Sequence, residues 1–122
     1  MKVFGASPVL RVANTEAALK FYRDTMGFTV DFQYDDYVGL RLEQAGLHLS
    51  KPGPGKPAGG GTVYLFCDEV DAYFGRIRAL GAKPASEPCD QFYDMRDFVI
   101  HDPDGNQLSF GCSLGKEDCV KD

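Results

Sequence analysis

Apolar and polar residues follow the same order twice along the 122-residue chain. Each half begins with an alternating run typical of a strand, continues with apolar residues at helical spacing, and ends with three shorter alternating runs. In the first half these elements are predicted at residues 7–13, 15–26, 28–34, 37–42 and 46–50. In the second half they are predicted at residues 62–67, 69–80, 83–87, 93–100 and 106–112. The pattern therefore predicts an α+β fold of two βαβββ repeats, which form a curled sheet around a cleft with the helices on the outer face.

Residues that begin and end helices stand where this division requires them. Asn14 and Asp68 precede the two predicted helices, and each can accept a hydrogen bond from an unpaired backbone N–H of the first turn. Gly27 and Gly81 follow the helices and can adopt the left-handed backbone that ends a helix. The Asp-Pro-Asp-Gly sequence at 102–105 predicts a turn between the last two strands.

A segment rich in glycine and proline separates the repeats. Residues 51–61 favour neither helix nor strand, and they can be interpreted as a phosphate-binding loop or as a flexible linker. The Gly-Lys-Ser/Thr ending of a phosphate loop is missing and no helix follows, which favours the linker. We therefore expect a single domain over 1–122, with repeat one at about 6–50, a linker at 51–60, repeat two at about 61–112 and a polar, loosely ordered tail at 113–122.

Composition narrows the class of partner. The chain has 13 basic and 18 acidic residues, a net charge of -5 and 43% hydrophobic residues. An acidic surface disfavours nucleic acids and anionic membranes and favours neutral or cationic partners, although the same charge also serves solubility alone. No stretch is apolar enough to span a bilayer, and the N-terminal residues lack the apolar core of a secretory signal. We therefore expect a cytoplasmic protein whose four cysteines are free thiols, with Cys119 the most exposed and reactive.

Two histidines are candidates for chemistry. His48 lies on a predicted strand, on the face that carries polar groups, and an imidazole can act as a general base near neutral pH. The sequence places no acidic partner beside it, so a hydrogen-bonding or stacking role is the alternative. His101 precedes the predicted turn and is expected at the surface.

Three segments of the chain resemble the vicinal-oxygen-chelate superfamily, which contains glyoxalase I, extradiol dioxygenases, fosfomycin-resistance enzymes and bleomycin-resistance proteins. These segments are residues 8–12, residues 18–24 with Gly27 and Phe28, and residues 98–108. In this order and at these spacings they are highly specific, and together they span nearly the whole chain. Residues 39–51 and 95–106 are most similar to the bleomycin-resistance branch.

Enzymes of that superfamily take metal ligands from His, Gln or Glu on the first, fourth, fifth and eighth strands. The positions that match them here are Ser7, His48, Thr62 and Ser109. Serine and threonine hydroxyls are poor ligands for zinc, iron or manganese. The resemblance therefore implies a protein with no bound metal and no other cofactor.

The bleomycin-resistance branch implies binding without chemistry. Its members are acidic homodimers that sequester a cationic, aromatic antibiotic in clefts at the subunit interface. By this resemblance we expect a homodimer without catalytic residues that binds an antibiotic or another natural product, and the acidic charge and aromatic strands favour a cationic, aromatic ligand. The predicted ligand-binding residues are Phe32, Tyr34, Tyr37, His48, Tyr64, Phe66, Tyr93 and Met95.

Two other functions stay open at this point. One is an enzyme of the same superfamily, of the lyase, transferase or dioxygenase type, with a non-standard or absent metal site or with His48 as a base. The other is a structural or regulatory protein whose cleft holds no ligand, which an aromatic and partly polar cleft disfavours.

Overall fold

The computed structural model describes residues 1–116 and 119–120. Over these residues the elements are β1 (Val9–Arg11), α1 (Thr15–Leu19) with its π-helical continuation (Lys20–Thr25), β2 (Thr29–Tyr34), β3 (Tyr37–Leu42), β4 (Ala45–Ser50), β5 (Thr62–Phe66), α2 (Val70–Ala79), β6 (Cys89–Asp90), β7 (Met95–His101) and β8 (Gln107–Ser113). Neither helix in this part of the chain is both long and apolar enough to cross a bilayer.

Each half of the chain builds its own four-stranded sheet, and the two sheets have the same strand order. The first sheet runs β1-β4-β3-β2 and the second runs β5-β8-β7-β6. The strand that precedes the helix pairs in parallel with the last strand of its half, whereas the other neighbours are antiparallel. The predicted α+β fold of two βαβββ repeats is confirmed.

Both helices pack against one face of the sheets. Asn14 caps α1 as predicted, since its side-chain oxygen accepts a hydrogen bond from the Ala17 N–H at 3.0 Å. The hydroxyl of Tyr73 on α2 donates to the carbonyl of Met26 at the end of the first helix, at 2.6 Å. The fully buried core includes Val12, Ala18, Tyr22, Leu40, Leu49, Ile77, Phe98, Leu108 and Phe110. The opposite face of each sheet is left open.

The turn between β7 and β8 joins the two halves. Asp102 is buried, and one of its oxygens accepts a hydrogen bond from the Tyr22 hydroxyl at 2.8 Å and another from the Asn106 amide at 2.9 Å. Its other oxygen accepts from two backbone N–H groups of the turn. Asn106 also donates to the carbonyl of Arg11 on β1. Burial and Asp102 both raise the pKa of Tyr22, so its phenol stays a neutral donor.

Two local predictions differ from the structure. Residues 83–87 are not a strand, and β6 comes later and is only two residues long. Pro84 and Pro88 have no N–H to offer a neighbouring strand. The segment bonds to Val99 of β7 instead, whose carbonyl accepts from the N–H groups of Ala85 and Ser86 and whose N–H donates to the Ser86 hydroxyl. Asp68 does not cap α2; the N-cap position belongs to Glu69, and its side chain makes no capping bond.

The expectation of four free thiols is wrong for Cys112 and Cys119, which form a disulfide with their Cα atoms 5.3 Å apart. The Cys119 N–H bonds to the Lys116 carbonyl and the Val120 N–H bonds to the Asp68 carbonyl, and these bonds hold Cys119 beside the end of β8. Cys119 is therefore not the reactive thiol, and Cys89 is the exposed free one. Residues 114–116 and 119–120 of the predicted loose tail lie along the second repeat, while 117–118 and 121–122 fall outside the described residues.

Candidate functional site

The open face of the first sheet carries an aromatic cluster around His48. We call Phe32, Tyr34, Tyr37 and His48 the first wall. The Tyr37 hydroxyl lies 2.9 Å from His48 Nδ1, and the Phe32 ring meets the imidazole edge-on with ring centres 5.2 Å apart. Phe32 also stacks on Tyr37 at 6.3 Å with the planes 13° apart. Because Leu47 and Leu49 on either side of His48 point into the core, the alternation of β4 directs the imidazole to the open face.

A glycine makes room for this cluster. Gly39 pairs with Phe32 on one side and with His48 on the other. A Cβ atom at Gly39 would overlap three ring atoms of Phe32, so the ring lies directly over the glycine. A larger residue at position 39 would lift the ring away from the sheet.

The contact with Tyr37 sets what His48 can offer a ligand. With the phenol as donor, Nδ1 accepts and Nε2 carries the ring proton; with Nδ1–H as donor, the Tyr37 oxygen accepts and Nε2 has a free lone pair. No residue that the structure describes makes a hydrogen bond with Nε2. The first wall therefore presents one unpaired imidazole nitrogen among three aromatic rings.

The open face of the second sheet is built around a carboxylate instead. We call Tyr64, Phe66, Tyr93, Met95 and Asp97 the second wall. Asp97 is only 3% exposed. One of its oxygens accepts hydrogen bonds from the hydroxyls of Tyr64 at 2.9 Å and Tyr93 at 2.6 Å, and the other accepts from the Gln91 amide at 3.0 Å.

These contacts keep both phenols neutral. The hydrogen bond to Asp97 is the main reason that the pKa of Tyr93 rises to about 12. The pKa of Tyr64 is raised first by burial and then by the same carboxylate. None of the ion pairs among the described residues involves Asp97. The second wall therefore carries one negative charge that neutral donors surround.

The second wall rests on a glycine as well. A Cβ atom at Gly111 would overlap the hydroxyl of Tyr64 and would lie 2.9 Å from the Cβ of Asp97. Gly111 pairs with both neighbouring strands, opposite Phe66 on β5 and opposite Asp97 on β7. Its missing side chain allows Tyr64 to lean across β8 and reach the carboxylate on β7.

The four positions that match family metal ligands do not fit a divalent metal. Ser7 and Thr62 are exposed, Ser109 is buried, and His48 already uses Nδ1 in its contact with Tyr37. Three hydroxyls and one imidazole make a weak donor set for zinc, iron or manganese. In the described part of the chain, no three His, Cys, Asp or Glu side chains come together as a metal site would require.

The structure places the eight predicted ligand-binding residues in two groups. Phe32, Tyr34, Tyr37 and His48 contact one another, and Tyr64, Phe66 and Tyr93 surround Asp97 with Met95 beside them on β7. No hydrogen bond or ring contact between described residues links one wall to the other. Two surface cavities of about 260 and 430 Å³ lie elsewhere, and none of the eight residues lines them.

Sequence reasoning missed Asp97 and Gln91. A signal for Asp97 was present in the alternation of β7. Asp97 shares one face of the strand with Met95 and Val99, and the core residues Phe98 and Ile100 occupy the other face. Gln91 lies in the loop before β7, where no periodicity reveals the direction of a side chain.

Comparison with protein families assigns the chain to one of them. The model of the glyoxalase/bleomycin resistance protein/dioxygenase superfamily matches residues 6–110. The chain belongs to this superfamily. The match includes both repeats and both walls, so the resemblance read from the sequence segments is confirmed.

Individual relatives and structural neighbours of this superfamily member include bleomycin resistance proteins, an antibiotic binding protein and a lyase. Bleomycin resistance proteins from Geobacillus stearothermophilus and Staphylococcus aureus are each 28% identical over 121 residues, covering 84% of this chain and 92% of the relative. The solved structure of TnmS3, an antibiotic binding protein from Streptomyces sp. CB03234, has a TM-score of 0.81 at 24% identity and covers 93% of this chain and 98% of its own. Lactoylglutathione lyase from Agrobacterium tumefaciens has a TM-score of 0.73 at 21% identity, with coverages of 92% and 96%. These structures establish the fold, which serves binding and catalysis alike.

Proposed function

We propose that this protein binds an antibiotic or another natural product and sequesters it without chemistry; its likeness to proteins named for bleomycin resistance and for antibiotic binding supports this. The observation that carries the proposal is the exposure of aromatic rings on both open faces. Tyr34 is 73% exposed and Phe66 is 78% exposed, although large rings are normally buried. Rings held open around a polar centre favour a flat ligand that stacks between them.

Further features support binding over metal chemistry and favour a particular ligand charge. The residues at the family's metal positions are mostly hydroxyls, so the chain has little with which to polarise a substrate oxygen. The bleomycin resistance proteins that align with this chain cover both repeats. The net charge of -5 and the carboxylate of Asp97 favour a ligand that carries positive charge.

The proposal includes a homodimer in the cytoplasm. Within one chain the two walls share no side-chain contact among the described residues, and each leaves apolar rings open to solvent. A second copy would cover these rings and close each open face into a cleft. Light scattering of the purified protein should therefore give twice the 13.4 kDa mass of the chain.

One observation favours a second candidate, an enzyme without a metal. Tyr37 orients the imidazole of His48, and in the tautomer whose Nδ1–H donates to the Tyr37 oxygen, Nε2 has the free lone pair that a general base requires. Among residues 1–116 and 119–120, the His48 side chain has a hydrogen bond to Tyr37 and none to a carboxylate, so binding is the better supported function.

The test is a metal analysis of the purified protein followed by thermal-shift screening against bleomycin-like and mitomycin-like natural products. Ligand at 100 times its Kd should stabilise the folded protein by about 2.7 kcal/mol and raise Tm by several degrees. Phe32→Leu should abolish most of that rise. Phe4→Leu, which removes an exposed ring outside both walls, should leave it intact.

Two results would contradict sequestration. One is a stoichiometric transition metal whose removal abolishes ligand binding. The other is recovery of a chemically altered ligand after incubation with the protein, with the His48→Gln variant returning it unchanged. Either result would favour the enzyme.

A further inference from the structure

The second wall holds an unusual combination of a buried carboxylate and exposed rings. The Asp97 carboxylate is covered, yet the tyrosines bonded to it reach the surface, with Tyr93 47% exposed. Phe66 lies beside Tyr64 with ring centres 5.1 Å apart, and Phe92 meets Tyr93 edge-on at the same distance. The negative charge is thus screened from direct contact by a layer of aromatic faces.

Each phenol in this layer has already used its only proton. The hydroxyls of Tyr64 and Tyr93 both donate to the same oxygen of Asp97, so neither can donate to a ligand. What they still present is a ring face and oxygen lone pairs, and all of these attract positive charge. Donation to a carboxylate also pushes electron density into the phenol ring, which strengthens its attraction for a cation.

The arrangement excludes other ligand classes. An anion would meet the uncompensated charge of Asp97, since no ion pair of the described residues neutralises it. A bare metal ion would find one carboxylate whose oxygens already accept three hydrogen bonds, and the described residues place no group of three His, Cys, Asp or Glu side chains anywhere. A weakly hydrated organic ammonium loses little on leaving water and suits ring faces.

We propose that the rings of Tyr64 and Tyr93, backed by Asp97, form a subsite for an alkylated ammonium group. This inference rests on the proposed function in one respect only, because it takes the ammonium to be part of the natural product that the protein binds. The first wall then receives an uncharged part of the ligand, since it offers stacked rings and a single imidazole nitrogen.

The experiment compares choline with dimethylbutanol, its uncharged analogue in which carbon replaces nitrogen. Titration followed by NMR should shift the ring resonances of Tyr64 and Tyr93 with choline, and dimethylbutanol should bind about fivefold more weakly. Equal affinity for the two probes, or shifts confined to the first wall, would overturn the subsite.

Variants assign the effect to these side chains. Asp97→Asn should weaken choline about fivefold, whereas Asp24→Asn, which changes the net charge equally at an exposed position, should not. Because Asp97 is buried and its variant can lose stability, Tyr93→Leu at an exposed position provides the second test and should weaken choline by a similar factor. Unchanged choline binding in both variants would overturn the proposal.

The two proposals can fail separately. A natural product that raises Tm equally in the wild type and in Asp97→Asn, with no choline binding, would leave sequestration standing and remove the subsite. Choline binding that depends on Asp97, with no natural product raising Tm, would leave the subsite standing and remove sequestration.

Discussion

The two walls occupy equivalent open faces of equivalent sheets, yet their polar centres differ. Each has an aromatic ring lying over a glycine of a central strand, Phe32 over Gly39 and Tyr64 over Gly111. The first wall surrounds an imidazole, and the second surrounds a carboxylate. The two repeats have the same strand order and share a buried core, while their open faces differ because the side chains there do not take part in core packing.

The largest loss of stability is expected at Asp102, whose hydrogen bonds join the two halves of the chain. Asp102→Ala would leave the Tyr22 hydroxyl, the Asn106 amide and two backbone N–H groups without their buried acceptor. Unfolding in denaturant should show a loss of about 3 kcal/mol or more in the free energy of unfolding. Asp104→Ala removes one exposed bond to the Ala13 N–H and should cost less than about 1 kcal/mol. Equal losses would show that the turn does not join the halves.

The next largest loss of stability is expected for an alanine substitution at Gly111, and a smaller one for the same substitution at Gly39. Gly111→Ala should lower the free energy of unfolding by about 1–3 kcal/mol, because the new methyl meets the Cβ of Asp97, which the backbone holds in place. Gly39→Ala meets only the ring of Phe32, which is half-buried and can swing outward, so its loss should be smaller. Denaturant unfolding of the two variants side by side measures the difference. A larger loss at Gly39 would reverse this account of the two walls.

A third prediction concerns the charge of the second wall. Asp97→Asn should lower the pKa of Tyr93 from about 12 towards the ordinary value of 10, as seen by the ultraviolet absorbance of phenolate. A raised pKa in the folded protein stabilises it below pH 10, and this stability is lost as the pH rises from 10 through 12. The slope of stability against pH in that window should therefore be shallower in Tyr93→Phe than in the wild type. An unchanged slope would mean that the bond to Asp97 is not formed in solution.

The smallest effect is expected in the first wall. Tyr37→Phe removes one half-buried hydrogen bond to His48 and should cost about 1 kcal/mol or less in stability. Its clearer consequence is a mixture of imidazole tautomers, which nitrogen chemical shifts of His48 detect. Phe32→Leu keeps the bond and serves as the control. A single tautomer in Tyr37→Phe would assign the orientation of His48 to another contact.

The fold was predictable because its signals are periodic. The alternation of β3 and β4 and the helical spacing of Val70, Tyr73 and Ile77 depend on local geometry that every sequence of this pattern shares. The prediction of a strand at 83–87 was wrong because the hydrophobic pattern does not show which N–H groups the edge of a sheet can offer. Proline decides this, since it has no N–H. The sequence did not predict the disulfide, because its formation depends on the turn that follows β8 and no periodicity encodes that turn.

The candidate site was predictable only in part. Aromatic residues on open faces follow from strand alternation, and this placed Phe32, His48 and Tyr64 correctly on β2, β4 and β5. The contacts that give these residues their chemistry cross between strands. Tyr64 reaches Asp97 over Gly111, a relation between three strands that depends on register and on an absent side chain. Contacts of this kind are visible only in the three-dimensional structure.

A ring that rests on a glycine is also a replaceable surface. Substitution at position 32 or 64 changes the surface that the open face of the sheet presents. The core on the opposite face keeps its packing, which includes Leu47, Leu49, Leu108 and Phe110. Single substitutions at these two positions should therefore change the open face while leaving the core packing intact. The two glycines themselves have no such freedom, and we expect them to outlast the rings that they support.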